Sequence, residues 1–315
     1  MRSFSILGDS ISTFDGCNPD GFTVYYQGER CEQTGVTSSA DTWWSQVIER
    51  LGGRLLANSS FSGSLVEGAG FPAGNSQERI DALAEDGVQP DVVIVFMGIN
   101  DYGWGGATAQ AAGRGNAVPV ALDLDAIEPH APAAAAPGAI DRFRAAYGLL
   151  LERMRAAYPQ AEVWCCTLCP GRVAGCPSPT FAWNLRGAPF KSYNDAIRVA
   201  AREHGCNVAD LEAFGIDYEA VDGTHPTARG MRQLSALIAS CIEGAEPDER
   251  LLPADLFDET FRSGELCPGE ACVASMPAEP GAAGFSYANG IRPNSSGEVV
   301  PTASDTKQDR SYFSA

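Results

Sequence analysis

Basic residues are scarce in this chain: 22 Lys and Arg stand against 40 Asp and Glu, a formal charge of −18 over 315 residues. Without surplus cations there is little to neutralise a phosphate backbone or an anionic bilayer. Neither a nucleic acid nor membrane insertion is therefore expected, and the acidic balance reads as a solubility device. Long apolar runs are missing too. The longest, Val92 to Met97, has the length of a buried strand and falls far short of the ~18 residues of a membrane span. The first residues run straight into Gly8-Asp9-Ser10, which leaves no room for a secretory leader, so a cytoplasmic protein is expected. No Gly-x-Ser-x-Gly elbow occurs, which argues against the larger α/β-hydrolase fold. No internal repeat is visible.

Ten cysteines are present, and in a long chain with no export signal they are expected to be reduced thiols. Cys165, Cys166, Cys169 and Cys176 have something of a metal-ligand spacing. However, Cys165 and Cys166 fall on an expected strand, where neighbours face opposite ways, and no second Cys or His pair completes a tetrahedral set. Cys267 and Cys272 carry no more weight. No metal site is expected.

What is there alternates. Strands are expected at Phe4–Leu7, Arg54–Ala57, Asp91–Met97, Glu162–Thr167 and Asn207–Leu211. Helices are expected at Asp41–Leu51, Ser76–Glu85, Asp141–Tyr158, Ser192–His204 and Thr227–Cys241. Asp91–Met97 is nearly all apolar and β-branched, as a central parallel strand covered on both faces should be. Phe143, Tyr147, Leu150 and Met154 line one face of the long helix that Pro159 stops. This pattern predicts an α/β three-layer sandwich around a parallel sheet. Gly103–Ala139 interrupts it as a long Gly-, Ala- and Pro-rich insertion. Beyond residue 243 the periodicity weakens. Residues 1–243 are expected to form the main domain, and 244–315 an acidic, Gly- and Pro-rich extension, partly disordered, with a docked helix possible at Leu251–Arg262.

Four short blocks carry the chemistry. A serine hydroxyl needs a base within hydrogen-bond reach, and only three histidines are available. His204 ends a helix, and His130 lies in the insertion. His225 follows Asp222 by three residues, so one tight turn can present the carboxylate to one ring nitrogen and the other nitrogen to a nucleophile. The competing reading makes Asp222 or Thr224 a mere cap for the helix that begins near Pro226. Ser10 leaves the carboxyl end of the first strand, where open α/β sheets place ligands. Asn100 leaves the third strand, and its amide is a suitable oxyanion donor; Gly63 would let backbone approach an acyl carbon closely.

Gly8-Asp9-Ser10, Gly63, Gly98-x-Asn100-Asp101 and Asp222-x-x-His225, in that order, resemble the signature blocks of the SGNH (GDSL-type) hydrolases over roughly residues 1 to 243. The resemblance implies a flavodoxin-like five-stranded sheet of order 2-1-3-4-5 and esterase or lipase activity without a cofactor. It implies Ser10, Asp222 and His225 as catalytic triad, with the Ser10 and Gly63 N–H groups and the Asn100 side chain as oxyanion hole. Asp9 and Asp101 are expected to give supporting hydrogen bonds. Aromatics near the blocks (Phe14, Tyr25, Tyr26, Trp43, Tyr102 and Trp104) suit stacking on a sugar face, or else belong to the core, the better expectation for Trp43 and Trp44. The expected activity is hydrolysis of small or carbohydrate-linked acyl esters through an acyl-enzyme. A lipase or thioesterase, or a binding module for acylated glycans that does not turn them over, are the rival readings.

Overall fold

The computed structural model describes residues 1–104, 138–172 and 190–246, together with the backbone of 291–293 and 299–301. Most of the expected insertion lies outside these residues. So do His130, Cys176, Cys267, Cys272, the expected tail helix Leu251–Arg262 and nearly all of the tail. The chain divides into two units, Met1–Leu251 and Leu252–Ala315. Of the second, an antiparallel pairing of Ile291–Pro293 with Val299–Pro301 is described.

In the first unit five parallel strands form one sheet. They are β1 (Ser3–Gly8), β2 (Arg54–Ser60), β3 (Val92–Phe96), β4 (Glu162–Cys166) and, after a two-residue strand β5 (Gly171–Arg172), β6 (Asn207–Ala209). Their order is β2-β1-β3-β4-β6, the expected 2-1-3-4-5 once β5 is set aside. All pairings are parallel. Gly8 is level with Ser60 on one side and with Phe96 on the other. Three adjacent strands therefore end at one edge, and the segments bearing Ser10, Gly63 and Asn100, the last in the first turn of the helix Ile99–Trp104, all leave from it.

Two helix layers cover the sheet. Trp43–Arg50 packs with the closing helix Ala228–Glu243, and Ala139–Ala157 packs with Phe190–Glu203 and with Gln77–Asp81. Every residue of β3 is buried, as its apolar run requires. Phe143, Tyr147, Leu150 and Met154 are all buried along Ala139–Ala157, each contributing about 1.5–3 kcal/mol by leaving water. Among the described residues no helix is long and apolar enough to cross a membrane.

The differences from expectation have physical causes. Strand β2 continues three residues past Ala57, because its inward-facing end is polar and satisfied. Asn58 donates to the Ser12 carbonyl at 2.9 Å, and the Ser59 hydroxyl to the Arg79 carbonyl at 2.8 Å. A hydrophobic pattern cannot show such a segment. The helix after Ser76 covers only Gln77–Asp81; Ser76 does cap it, its Oγ accepting from the Arg79 N–H at 3.3 Å. A tight turn bridging Glu85 and Val88, with Asp86 at φ +49°, takes the rest. The closing helix begins at Ala228 with Thr227 as its cap, so neither Asp222 nor Thr224 has that role. A small parallel pair, Gly171–Arg172 with Tyr218–Glu219 (β7), had no sequence signal.

Candidate active site

Strand β1 delivers the serine. After Gly8 the Asp9 carboxylate accepts the Ile11 N–H at 3.1 Å and starts a single 3-10 turn over Ser10–Ser12. Thr13 then fixes the turn from beyond, since both its N–H (3.3 Å) and its hydroxyl (2.9 Å) donate to the Ser10 carbonyl. Asp9 and Ser10 are both buried. Burial pushes the Asp9 carboxyl up to about 7, against the lowering pull of the Ile11 N–H and the charges of His225 and Arg79.

The tight turn after β7 delivers the histidine. Asp222 Oδ1 accepts the N–H groups of Thr224 (2.9 Å) and His225 (2.7 Å), closing the turn on itself. Its Oδ2 lies 2.6 Å from His225 Nδ1, and His225 Nε2 lies 2.9 Å from Ser10 Oγ. A carboxylate at Nδ1 requires the proton there, which leaves the Nε2 lone pair to accept from the serine hydroxyl. Burial works to raise the Asp222 carboxyl, but the His225 charge and the hydrogen bonds to it outweigh burial and hold it below the usual carboxylate range. The three residues singled out from sequence are therefore one hydrogen-bonded chain.

The histidine is braced from the loop that follows the serine. The Tyr25 ring stacks on the His225 ring with centroids 3.6 Å apart and planes 4° from parallel. The Tyr26 hydroxyl donates to the Pro226 carbonyl at 2.9 Å, and the Tyr218 hydroxyl to the Thr224 carbonyl at 2.7 Å. The Tyr25 N–H in turn reaches Thr13 Oγ1 at 2.9 Å. Trp43 and Trp44 are buried in the core, as expected of them, whereas Tyr26 and Tyr102 are also fully buried and cannot stack on a ligand, which corrects the sugar-stacking expectation for those two. The side chain of Trp104 is outside the described residues.

Gly63 and Asn100 come together through their neighbours. Gly63 has φ +78°, and a Cβ there would meet nothing within 4 Å, so the glycine is required by its left-handed backbone rather than by close approach. Asn100 Nδ2 donates to the Ser64 carbonyl at 3.0 Å. The buried Asp101 carboxylate accepts the N–H groups of Val66 (2.8 Å) and Glu67 (3.1 Å). Burial raises Asp101 to about 7 despite those two donors. Among the described residues no acceptor takes the N–H of Ser10 or of Gly63.

One residue of this edge had no sequence signal. Arg79, fully buried, donates to the carbonyls of Gly8 (2.6 Å), Ser59 (2.6 Å) and Pro72 (2.7 Å) and to Ser64 Oγ (3.1 Å). Its single guanidinium ties the end of β1 to the end of β2 and to the residue after Gly63. An arginine on a short amphipathic helix reads as solvent-facing, so nothing in the sequence marks it.

Among the described residues no three Cys, His, Asp or Glu side chains gather as a metal cage. Cys165 and Cys166 are buried with the core, and the Cys169 thiol donates to the Ile216 carbonyl at 2.9 Å.

Comparison with known proteins follows the same edge. The sequence model of the GDSL-like Lipase/Acylhydrolase family matches residues 2–118, which hold Ser10, Gly63 and Asn100 but not the Asp222–His225 turn. A protein of Bacteroides ovatus assigned to the GDSL-like lipases is 26% identical, with a TM-score of 0.51 over 78% of this chain and 99% of its own. A second, from Bacteroides uniformis, is 24% identical with a TM-score of 0.51 over 77% and 96%, a likeness of fold. No curated protein sequence matches the chain.

Proposed function

We infer, from the premise that this chain is a GDSL-type hydrolase, that it cleaves carboxylic esters through an acyl-enzyme on Ser10. The observation that carries the inference is the continuous contact from Asp222 through His225 to Ser10, at 2.6 and 2.9 Å. In this reading His225 Nε2 removes the Ser10 proton as Oγ attacks the acyl carbonyl, while Asp222 holds the ring and its charge. The carbonyl oxygen, now an oxyanion, takes hydrogen bonds from the Ser10 N–H, the Gly63 N–H and the Asn100 amide. The imidazolium returns the proton to the departing alcohol. Water then enters, gives a proton to Nε2 and attacks the acyl-serine; the carboxylic acid leaves, and Ser10 Oγ recovers its proton.

We propose small acyl groups, including those carried on carbohydrates, as substrates. The space between Asp9, Ile11, Phe96, Ile99, Leu168 and Cys169 is too tight for a water molecule, so it offers a long acyl chain no channel. Phe22, Phe61 and Phe71 lie with ring centroids 5.3–5.7 Å apart, and Phe71 is 45% exposed. Phe61 donates its N–H to the Gly8 carbonyl at 3.2 Å, which sets this cluster beside the serine turn. Flat phenyl faces there suit the C–H face of a sugar ring. The cytoplasmic location expected from sequence belongs to the same proposal, and the free cysteines of the described residues support it.

The test is hydrolysis of p-nitrophenyl esters from acetate to palmitate, beside Ser10→Ala and fluorophosphonate labelling. We expect turnover of the short esters and a loss of about 10³-fold or more in the variant. Faster cleavage of palmitate than of acetate overturns the short-acyl assignment. An intact protein that neither turns over any ester nor takes the label is a binding module instead.

A further inference from the structure

Two neutral aromatic rings avoid the arrangement found over His225. Their quadrupoles favour offset or edge-on geometries over a face-to-face sandwich. The other ring pairs of the described residues are tilted or edge-on, with interplanar angles of 58–90°. Tyr25 on His225 is the exception, at 3.6 Å and 4°. The sandwich becomes favourable when one ring is a cation, because a positive imidazolium is attracted to the electron-rich phenol face.

We propose that Tyr25 is a positioning residue for the hydrolase, holding the His225 ring in plane and favouring its imidazolium form, the form that exists while the acyl-serine is being made and broken. The proposal rests on the ester-hydrolase reading of the site.

The stack is not left to chance. The Tyr25 backbone is pinned by Thr13 Oγ1, which itself donates to the Ser10 carbonyl, so the serine turn and the ring over its base share one hinge of hydrogen bonds. Tyr26, next along, ties down Pro226. The groups around the imidazole are few. Asp222 lies at Nδ1, Ser10 at Nε2, and the buried Asp9 acts through its charge, itself offset by Arg79. The Tyr26 and Tyr218 hydroxyls are committed to the Pro226 and Thr224 carbonyls. One further cation bears on the same ring: the exposed Arg30 guanidinium lies 5.3 Å from the Tyr25 centroid. Its positive charge bears on a ring whose π electrons also face the imidazolium, and it repels that imidazolium through space, so it works against Tyr25.

Two opposite shifts follow. Tyr25→Leu removes the face, so the imidazolium gives up its proton at lower pH, and the acidic limb of kcat/KM moves down by about half to one pH unit. At the same time kcat falls about tenfold with KM little changed. Tyr25→Phe keeps the face and restores most of the rate. Arg30→Gln removes the competing positive charge, and the acidic limb moves up by a few tenths of a unit. A loosened loop would lower the rate without moving the limb in opposite senses for the two variants.

The experiment is a pH–rate profile for all four proteins, with the His225 ring followed in parallel by NMR titration, which needs no turnover. The protein has three histidines, so the signal is assignable through His204→Gln and His130→Gln. The expected result is a titration midpoint that falls in Tyr25→Leu and rises in Arg30→Gln. Midpoints within 0.1 unit of the starting protein in both, or displaced in the same direction, overturn the proposal. If Tyr25→Leu fails to fold, Tyr25→Met takes its place, and a midpoint within 0.1 unit of the starting protein overturns the proposal. A starting protein that titrates as expected but cleaves no ester refutes the hydrolase reading and leaves the stack's effect on the ring established.

Discussion

Arg79 donates to the carbonyl of Gly8 at 2.6 Å, so a guanidinium with no exposed surface holds the strand end two residues before Ser10. Burial lowers its proton affinity to about 9, and the nearby Asp9 charge resists that fall. Removing it takes a donor from the carbonyls of Ser59 and Pro72 in the interior and leaves the Gly8 carbonyl with the Phe61 N–H alone. We expect Arg79→Met to cost about 3 kcal/mol, read as a drop in the urea midpoint. Arg79→Lys should lose nearly as much, because one ammonium cannot span the same fork of acceptors. Stabilities within 0.5 kcal/mol of the starting protein for both would show the network to be dispensable.

The Asp222 carboxylate fixes the tautomer of His225. Asp222→Asn offers an amide where a carboxylate accepted Nδ1–H, so kcat should fall by about 10³–10⁴ with the fold retained. Steady-state kinetics on a short ester reads this, and a loss smaller than tenfold would contradict it.

Asp9 and Asp101 respond to pH in the opposite sense from Asp222. Burial raises both to about 7, above the ordinary value of 3.8. Between those values the folded state holds protons the unfolded state has released. Their contribution to stability is thus full below about pH 4 and is lost as pH rises through 7. Asp222 is held low, so its contribution is full above about pH 4 and is lost only on stronger acidification. Asp101→Asn should flatten the decline in denaturation midpoint between pH 4 and 7. An unchanged slope would mean that Asp101 is ionised throughout.

Gly63 and Gly230 separate rate from stability. At Gly63 an alanine meets nothing but pays for φ +78°, about 1–2 kcal/mol, and should shift the N–H away from the oxyanion. We expect Gly63→Ala to lower kcat 10–100-fold while melting only a few degrees earlier. At Gly230 the Cβ would run into the Glu219 carbonyl oxygen, where the closing helix touches β7. Gly230→Ala should cost about 1–3 kcal/mol by thermal melting. Equal losses of rate and stability at both positions would remove the distinction.

Much of this was legible in the residues themselves. Ser10, Asp222 and His225 carry chemistry that few side chains supply, and the apolar runs at Val92–Phe96 and Ala139–Ala157 announce a sheet and its cover. Legibility failed where polar groups are buried. The end of β2 and Arg79 are interior but hydrophilic, and only their partners, dispersed from Gly8 to Pro72, explain them. Tyr25 failed for another reason: an aromatic beside a polar block looks the same whether it awaits a ligand or already covers a histidine 200 residues away.

The contact between Ser10 and His225 spans 215 positions of chain. During synthesis Ser10 emerges early and His225 late, with most of the sheet in between. Until the segment from Tyr218 to Glu243 has left the ribosome and docked, Ser10 is an ordinary alcohol with no one to take its proton. On the proposed reading an unfinished chain has no reactive serine, and fluorophosphonate labelling should appear only once the Tyr218–Glu243 segment has folded.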